Sequence, residues 1–556
     1  MRDSLHLRFI SSLEKCFTDE RFDSKPELRH ISMLQNEHLS VQLLMEETDD
    51  AVYDKLTAGV RVVSPLADCV TLRSVEQVHV PMAMYHGVND GNLLRTEPGL
   101  YPDLLAPLRY HGCALIPARQ LCCLWVDVRP EGQLPAGVYP LTLELYDPDS
   151  GALYGSATLS VEIVGALLPE PTLLHTQWFY VDCLADYYHV PMYSERHWEI
   201  IENFLKAATD GGVNMILTPV FTVPLDTAVG RERPTHQLVE ITVENGVWHF
   251  DFEKLDRFID LLLKYRVKAI EICHLFTQWG AAHAPKIMAT VDGEYRRIFG
   301  WDTEAGGEAY GAFLRRFLPQ LLEFLRRKDV DGMCRFHISD EPSMEHWESY
   351  CAARAQVADL LKDYPIMDAL SSFEFYRSGA VEYPVPANNH IEPFLEAGVP
   401  HLWTYYCCVQ HTDVSNRMLA MPSARNRILG VQLYKYRIEG FLHWGFNSYY
   451  NRYADSLVNP FQDPCGDYFV PAGDAFCVYP KADGTALDTL HFLVLKEAFT
   501  DVRALQLCEQ LYDREFVMHL IEDGLDAPIT FSSYPRSADY LLQLRERVNA
   551  AIRERL

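Results

Sequence analysis

The sequence predicts a mixed α/β fold, in which a (β/α)8 barrel follows an N-terminal β-sandwich and precedes a C-terminal helical tail. Two observations support this prediction. Apolar and polar residues alternate up to about residue 165, and the pattern then changes to short apolar runs separated by segments with helical spacing. We therefore expect a sandwich-rich domain over residues 1–168, the barrel over residues 169–515 and the helical extension over residues 516–556.

Three segments of the first part show the period of half-buried strands. Turn residues at 135–137 and 147–151 separate them, which is typical of an antiparallel sandwich. The first 50 residues lack this regular alternation, and a helix is compatible with them. The apolar positions of the three segments are Leu124, Val126, Val128; Leu141, Leu143, Leu145; and Leu159, Val161, Ile163, with Trp125 and Asp127 among the residues between them.

Short apolar runs alternate with helices in the second part of the chain. Strands that alternate with helices over roughly 330 residues favour a (β/α)8 barrel over a doubly wound sheet. No GxGxxG or GxxxxGK[ST] string is present, which counts against nucleotide binding. A hairpin over residues 238–250, with Asn245 and Gly246 as its turn, is expected after the second strand. The predicted strands lie at 213–217, 268–273, 332–338, 400–403 and 440–444, and the helices around residues 198–208, 255–263, 313–321 and 538–556.

Composition restricts the class of partner. The 556 residues include 49 Lys and Arg against 77 Asp and Glu, a formal charge of −28, which disfavours nucleic acid as a partner. No stretch approaches 18 apolar residues, so no membrane span is expected. The 14 cysteines show no CxxC spacing, and the first residues show no export signal. We therefore expect reduced thiols and a cytoplasmic location.

Two adjacent carboxylates lie at the end of the fourth predicted barrel strand, where a barrel holds its catalytic residues. Asp340 and Glu341 precede Pro342, which ends the strand. Close carboxylates move each other's pKa apart, so that one serves as an acid while the other stays ionised. The alternative is that one of them only caps the helix that begins near Met344.

Aromatic side chains end two further predicted strands. Trp403 and Tyr405 share a face of one strand, and Trp444 and Asn447 follow the next. An aromatic ring and a hydroxyl suit a sugar, which has an apolar C–H face and a polar rim. Core packing is the alternative for each aromatic residue taken alone.

Histidines are also found on the predicted strands. His274, His337 and Asp340 suggest a metal site, but no HxH or HExxH spacing supports it. We expect no metal and no organic cofactor. His274, at the end of the third strand, is the best candidate among the histidines for contacting a substrate.

Several strings in this order resemble a known family. They are the Asp340-Glu341-Pro342 strand end and residues 403–407, 427–436, 440–444 and 473–480. Over roughly residues 130–515 the chain is similar to the family called domain of unknown function 4091, which includes glycoside hydrolase family 123. One departure is the stretch 490–496, which lacks the arginine-rich consensus expected there.

The resemblance implies an exo-acting, retaining β-N-acetylgalactosaminidase that uses the acetamido group of its own substrate as nucleophile, by way of an oxazoline. In such a mechanism Asp340 orients the acetamide N–H, and Glu341 is the general acid and then the general base. Tyr405 binds the acetamide carbonyl, and Trp444 forms the floor under the sugar. Trp403, His274, Asn447 and Asp474 are further candidate sugar contacts. The expected partner is a glycan or glycoconjugate with a terminal amino sugar.

Three alternatives stay open. A glycosidase for a sugar without an acetamido group needs a separate nucleophile, such as Glu271 or Glu374. A metal-dependent barrel hydrolase would use His274, His337 and Asp340. A non-catalytic carbohydrate-binding protein would bind sugar through its sandwich.

Overall fold

Two five-stranded β-sheets make up the N-terminal part of the molecule. The computed structural model describes residues 2–87, 89–109 and 112–556. The strand orders are β1-β3-β8-β5-β6 and β2-β10-β9-β4-β7, with antiparallel pairing everywhere except between β2 and β10. The strands are β1 Leu5–Ser11, β2 His30–Leu34, β3 Leu39–Glu47, β4 Lys55–Val63, β5 Val70–Val80, β6 Gly99–Pro107, β7 Cys113–Pro117, β8 Cys122–Val128, β9 Gly137–Tyr146 and β10 Leu153–Val164.

The second part of the chain alternates strands with helices. The strands are β11 Leu174–Gln177, β12 Met215–Thr218, β13 Glu240–Glu244, β14 Val247–Asp251, β15 Ala269–Ile272, β16 Ile287–Val291, β17 Glu294–Phe299, β18 Cys334–Arg335, β19 Met367–Leu370, β20 Tyr383–Pro386, β21 Trp403–Tyr405, β22 Gly440–His443, β23 Val478–Pro480 and β24 Ala486–Asp488. The helices are α1 Val181–Tyr187, α2 Glu195–Asp210, α3 Glu253–Lys264, α4 Glu308–Arg327, α5 Trp347–Val357, α6 Glu374–Arg377, α7 Glu392–Glu396, α8 Ser423–Lys435, α9 Leu490–Leu511, α10 Arg514–Glu522 and α11 Ala538–Glu554.

A curled parallel sheet is the centre of this second part. Six strands pair in the order β18-β15-β12-β11-β22-β21, and β19 pairs with β20 in a separate parallel sheet. Single parallel bridges connect the two sheets at Phe336 with Ile366 and at Ala387 with Tyr405. Since all these strands run parallel, their carboxyl ends meet on one side of the sheet. The molecule is therefore a mixed α/β fold with a sheet-rich N-terminal part.

The predicted hairpin after the second strand is confirmed. β13 and β14 pair antiparallel, and both turn residues, Asn245 and Gly246, have positive φ, as a two-residue hairpin turn requires. The sequence did not reveal that β16 and β17 extend this hairpin into a four-stranded sheet, in the order β14-β13-β16-β17. The predicted helices around residues 198, 255, 313 and 538 are α2, α3, α4 and α11.

The strands predicted in the first part are confirmed as β8, β9 and β10. Residues 2–50 contain β1, β2, β3 and one 3-10 turn, Phe22–Ser24, rather than an α-helix. Trp125 and Asp127, which lie between the apolar positions of β8, are buried as well. Trp125 shares a core with Leu493 and Val494 of α9, because the sheet of β8 lies between its partner sheet and the C-terminal helices.

The C-terminal helix α11 packs back onto the sandwich. Arg545 Nη2 donates to Glu37 Oε2 at 2.5 Å, and the backbone N–H of Ser32 donates to Glu546 Oε1 at 2.7 Å. Arg553 pairs with Glu162 of β10. These contacts connect the two ends of the chain. Within the described residues, none of the helices is both long and apolar enough to cross a membrane.

Candidate active site

A cavity of about 500 Å³ opens at the carboxyl ends of the parallel strands. It is bounded by the segments that follow β11, β12, β15, β18, β21 and β22, together with Ala369 of β19. This is the side on which the sequence predicts catalysis. The lining residues are Tyr85, Trp178, Tyr180, Leu225, Asp226, Gln278, Trp279, Asp340, Glu341, Ala369, Tyr405, Cys407, Cys408, Val409, Leu442, Trp444, Arg452, Tyr468 and Phe469.

Both adjacent carboxylates line this cavity. The ladder of β18 ends at Arg335, so Asp340 and Glu341 lie in the segment that follows the strand rather than at its last residues. Hydrogen bonds on both sides hold their backbone: Trp279 N–H donates to Asp340 O at 2.8 Å, and Glu341 N–H donates to Ala369 O at 3.1 Å. Glu341 has a φ of +43°, a strained conformation for a residue with a side chain, of the kind found at functional sites.

Neither carboxylate caps the helix that follows. Ser343 is the N-cap of the turn that leads into α5, and its backbone N–H donates to Nδ1 of His346 at 3.2 Å. Ser343 therefore occupies the N-cap position that was the alternative for Asp340 and Glu341. The two carboxylates are left free to face the cavity.

Asp340 is held in an environment that opposes its ionisation. Burial, and then the neighbouring carboxylate of Glu341, raise the pKa of Asp340 well above its usual range, while His337 acts in the opposite direction. Two adjacent carboxyls in one cavity do not both ionise easily. The free protein therefore favours the protonated, neutral form of Asp340.

Tyr405 contacts this pair directly. Its hydroxyl donates to Glu341 Oε1 at 2.5 Å. Burial and the carboxylate of Glu341 raise the pKa of Tyr405 well above its usual value, so the phenol remains a hydrogen-bond donor at neutral pH. Tyr405, for which the sequence predicts a contact with the acetamide carbonyl, thus lines the same cavity as the two carboxylates.

Trp444 lines the cavity, and Asp474 fixes its ring from behind. Trp444 Nε1 donates to Asp474 Oδ2 at 2.8 Å. His443 Nδ1 accepts from Arg417 and from the backbone N–H of Gly445, so its proton is on Nε2, which faces Asp474 Oδ1 at 3.2 Å. Burial lowers the pKa of His443 to about 4, in agreement with this neutral tautomer. Asp474 is buried and orients Trp444 instead of lining the cavity.

Three other predicted sugar contacts lie outside the lining. Trp403 lines a separate cavity at the amino ends of the strands, because it is two residues before Tyr405 on the same short strand. Asn447 is buried and exchanges two hydrogen bonds with the backbone of Tyr180, at 2.9 and 3.0 Å. His274 is fully buried beneath the cavity. For these residues the structure gives packing or positioning contacts.

A buried polar network lies under Asp340. Glu271 accepts from Thr176 Oγ1 at 2.5 Å, Trp178 Nε1 at 2.8 Å and His337 Nε2 at 2.8 Å. The other ring nitrogen of His337 lies 3.4 Å from Asp368 Oδ1. Burial opposes the charge of His337, but the nearby carboxylates of Asp368 and Glu271 outweigh it and raise its pKa to about 9.

The predicted alternative of a metal centre does not fit this network. His274, His337 and Asp368, rather than Asp340, bring potential ligand atoms within 4.8 Å of one another. The two imidazole rings stack with centroids 4.3 Å apart and planes 21° apart. Ring nitrogens bind metal in the plane of the ring, so two nearly parallel stacked rings do not aim at one ion. In addition, the two ring nitrogens of His337 face the carboxylates of Glu271 and Asp368.

The two carboxylates considered as separate nucleophiles are both placed elsewhere. Glu271 is fully buried and saturated by its three donors. Glu374 of α6 forms an ion pair with Arg377 at 2.5 Å, and it is not part of the lining. Neither side chain reaches the cavity in this structure.

Sequence reasoning missed several lining residues, above all a third carboxylate, Asp226. Burial raises the pKa of Asp226 to about 6. Its side chain accepts from the backbone N–H of Tyr453 at 3.3 Å, and its own N–H donates to Gln278 at 2.6 Å. No periodic pattern marks residues 219–237, which have no regular secondary structure, so only the position after β12 could have suggested Asp226.

Comparison with known proteins is consistent with this geometry. The sequence matches the profile of "Glycoside hydrolase 123, catalytic domain" over residues 178–508. The fold is similar to a family 123 glycoside hydrolase from Clostridium perfringens, studied for glycolipid glycan hydrolysis, with a TM-score of 0.73 and 14% identity over 99% of this chain and 98% of that one.

Other solved structures match less well. A family 5 mannosidase from Rhizomucor miehei has a TM-score of 0.34 and 13% identity, over 60% of this chain and 93% of that one. A Bacteroides uniformis β-glucuronidase has a TM-score of 0.29 and 11% identity, over 87% of this chain and 49% of that one. No curated protein matches the sequence.

Proposed function

The chain belongs to glycoside hydrolase family 123, and from this premise we propose that it is an exo-acting, retaining hydrolase that removes a terminal β-linked N-acetylhexosamine, with GalNAc as the sugar. The observation that carries the proposal is the pair Asp340 and Glu341 beside Tyr405 in one cavity. The hydrolysis of glycolipid glycans by the similar Clostridium perfringens enzyme supports a glycan substrate.

The proposed nucleophile is the 2-acetamido oxygen of the substrate, which attacks the anomeric carbon and gives an oxazolinium ion. Sequence neighbours such as Asp340 and Glu341 act from one side of the sugar. Asp340 accepts the acetamide N–H, which favours its ionised form, and the proton of the pair is then on Glu341. Glu341 protonates the leaving oxygen and later deprotonates the incoming water.

Tyr405 and Trp444 complete the proposed sugar site. Once Glu341 carries the proton, the single hydroxyl hydrogen of Tyr405 is released from it and is donated to the acetamide carbonyl of the bound sugar. Trp444, held by Asp474, gives a flat apolar surface for the C–H face of the ring. This mechanism requires no metal and no organic cofactor.

Asp226 supports one alternative within the same enzyme class. It is a third carboxylate in the lining, so it could act as a separate nucleophile on a sugar without an acetamido group. Burial keeps the pKa of Asp226 near 6, however, which weakens it as a nucleophile at acidic pH.

The architecture and location are part of the proposal. The two bridges, Phe336 with Ile366 and Ala387 with Tyr405, support closure of the eight parallel strands into a (β/α)8 barrel. We assign residues 1–168 to the sandwich domain, 169–515 to the barrel and 516–556 to the helical extension. The 14 free cysteines support a reducing, cytoplasmic environment.

A panel of p-nitrophenyl glycosides tests the function. We expect hydrolysis of the β-GalNAc substrate to exceed that of β-GlcNAc, and both to exceed β-galactoside and β-glucoside. A preference for β-galactoside over β-GalNAc would favour the alternative that uses Asp226. Glycan binding without turnover of any substrate would favour a non-catalytic binding protein.

A further inference from the structure

A second cavity, of about 810 Å³, lies at the amino ends of the parallel strands, away from the catalytic pair at their carboxyl ends. It is bounded by β11, β18, β20 and β21 and by parts of α8, α9 and α10. Its volume is in the range of cavities that bind small molecules. Trp403, which the sequence marks as a candidate sugar contact, lines this cavity and not the catalytic one. Its ring is therefore available to a different ligand.

Arg335 is a half-buried cation of this lining, and it has no carboxylate partner among the described residues. Its Nη1 donates only to backbone carbonyls, of which Cys334 O is the nearest at 3.0 Å, while Nε and Nη2 have no acceptor. Burial lowers the pKa of Arg335 below its usual value, and only Cys334 and Tyr383 act in the opposite direction. Arg427 is also removed from solvent, but it pairs with Asp501 and its pKa is raised. A guanidinium in the position of Arg335 is stabilised by an anion that enters the cavity.

Three further donors of the lining also lack acceptors. The Tyr383 hydroxyl, Trp403 Nε1 and the guanidinium of Arg437 have no hydrogen-bond acceptor within the part of the chain that the structure describes. None of these atoms is enclosed by protein, so they are open to the cavity that they line. A ligand with acceptor atoms would satisfy the donors that the protein itself leaves open.

The charge of the cavity also favours an anion. Its two carboxylates are engaged within the protein: Glu439 Oε2 lies 2.9 Å from Nδ1 of His401, and Glu509 Oε2 accepts from the Tyr434 hydroxyl at 2.6 Å and from Arg514 at 3.3 Å. In a chain with a formal charge of −28, a cavity with more guanidinium than carboxyl groups is a local excess of positive charge. The guanidinium and carboxyl groups of the lining are Arg335, Arg437 and Arg514 against Glu439 and Glu509.

Trp403 provides a fixed apolar surface in the same cavity. It is in register with Gly440 of β22, and a Cβ on Gly440 would overlap the Trp403 ring. The glycine therefore lets the ring lie against the backbone of β22, where close packing restricts its rotation. Leu174, Ile438 and Val502 add aliphatic surface to the lining. A fixed ring and aliphatic side chains, together with open donors, suit a ligand that has an apolar body and an acidic group.

We propose that this cavity binds a small organic anion, whose carboxylate or phosphate meets Arg335 and whose apolar part packs against Trp403. The planar guanidinium suits both groups, because each of them accepts two parallel hydrogen bonds from arginine. A large polyanion is disfavoured, since the rest of the chain is strongly acidic. The site is separate from the catalytic cavity, so it does not depend on the proposed function.

Calorimetry with benzoate, phenyl phosphate and neutral benzyl alcohol tests this site. We expect saturable binding of at least one of the two anions and much weaker binding of the alcohol, and the tighter anion identifies the acidic group. Arg335→Met should weaken anion binding by about tenfold or more, because it removes a charge-assisted hydrogen-bond donor. Arg327→Met, which removes the same charge from an exposed position of α4, is the matched control and should leave the affinity unchanged.

A second set of variants locates the bound anion. Arg452→Met lies in the catalytic lining and should leave the affinity unchanged, whereas a loss there would place the anion in the catalytic cavity and overturn the inference. Trp403→Phe keeps an aromatic surface and should weaken binding less than Arg335→Met. If Arg335→Met does not fold, Arg437→Met at an exposed position of the same lining replaces it. The inference is also overturned if neither anion binds, or if the lining variant and Arg327→Met bind equally well.

Discussion

Tyr405 donates a hydrogen bond of 2.5 Å to Oε1 of Glu341, across the cavity between the ends of β21 and β18. Tyr405→Phe removes this donor from the half-buried carboxylate of Glu341. We expect kcat/KM on an N-acetylhexosaminide to fall by an amount equivalent to about 1–3 kcal/mol. Tyr406→Phe is the control, because the Tyr406 hydroxyl is buried, has no partner within the described residues and lies outside the lining. Equal losses in both variants would contradict a role for the Tyr405 contact.

Glu341→Gln tests the general acid. The amide keeps the shape of the side chain but has no proton to give, so kcat on an unactivated glycoside should fall about 10² to 10⁴-fold. A substrate with an activated leaving group needs less protonation and should lose less. The control is Glu345→Gln, an exposed glutamate four residues later. Equal losses on both substrates would show that Glu341 is not the acid.

Asp340 and the substrate acetamide are tested together. If the acetamide is the nucleophile, a 2-hydroxy glycoside of the same stereochemistry should be a very poor substrate. A thiazoline that mimics the oxazoline should bind much more tightly than the product sugar. Asp340→Asn should lower kcat, because a neutral amide does not stabilise the positive ring. Asp363→Asn, an exposed aspartate, is the control.

A trapping experiment tests whether the nucleophile is a carboxylate of the enzyme instead of the acetamide. A 2-fluoro glycoside should leave no sugar attached to the protein, as judged by intact mass. A covalent adduct on Asp226, or on any other carboxylate, would replace the acetamide mechanism with one that uses an enzymatic nucleophile.

The imidazolium of His337 should make stability depend on pH. The folded-state pKa of about 9 lies above the ordinary value of 6.5, so the stabilisation is complete below about pH 6.5 and is lost as pH rises through about 9. Deprotonation of His337 should lower the free energy of unfolding by up to about 3 kcal/mol. His337 is faced by Glu271 and Asp368, with His274 stacked on it and Asp340 nearby.

Denaturant unfolding between pH 6 and pH 10 measures this effect. The free energy of unfolding should decline with pH more steeply in the wild type than in His337→Gln. Tyrosines, lysines and cysteines titrate in both proteins, so the difference between the two slopes is due to His337. An NMR titration of the His337 ring in the wild type provides a second measurement if the variant does not fold. A ring that loses its proton below pH 7 would contradict the predicted charge.

Removal of metal should leave activity unchanged. The stacked rings of His274 and His337 do not aim at a common ion, so dialysis against EDTA is expected to preserve kcat/KM. Activity that disappears and then returns with Zn²⁺ or Mn²⁺ would establish the metal-dependent alternative.

Local patterns in the sequence predicted much of this protein. Periodicity identified β8, β9 and β10 and the helices α2, α3 and α4, because side-chain alternation and helical spacing depend only on neighbouring residues. The hairpin turn at Asn245 and Gly246 follows from the conformational preferences of two residues. The adjacency of Asp340 and Glu341 is a fact of the chain itself, and it was enough to indicate the site.

Only the tertiary structure decided which side chains share the cavity with that pair. Asp226, Trp279 and Tyr468 come from irregular loops far apart in the chain, and no periodicity describes such loops. Trp403 and Tyr405 share a strand face, yet they lie at opposite ends of a three-residue strand and line different cavities. The alternation of residues in a strand predicts the face on which a side chain lies. It does not predict at which end of the sheet that side chain is found, because this depends on how the neighbouring strands are packed.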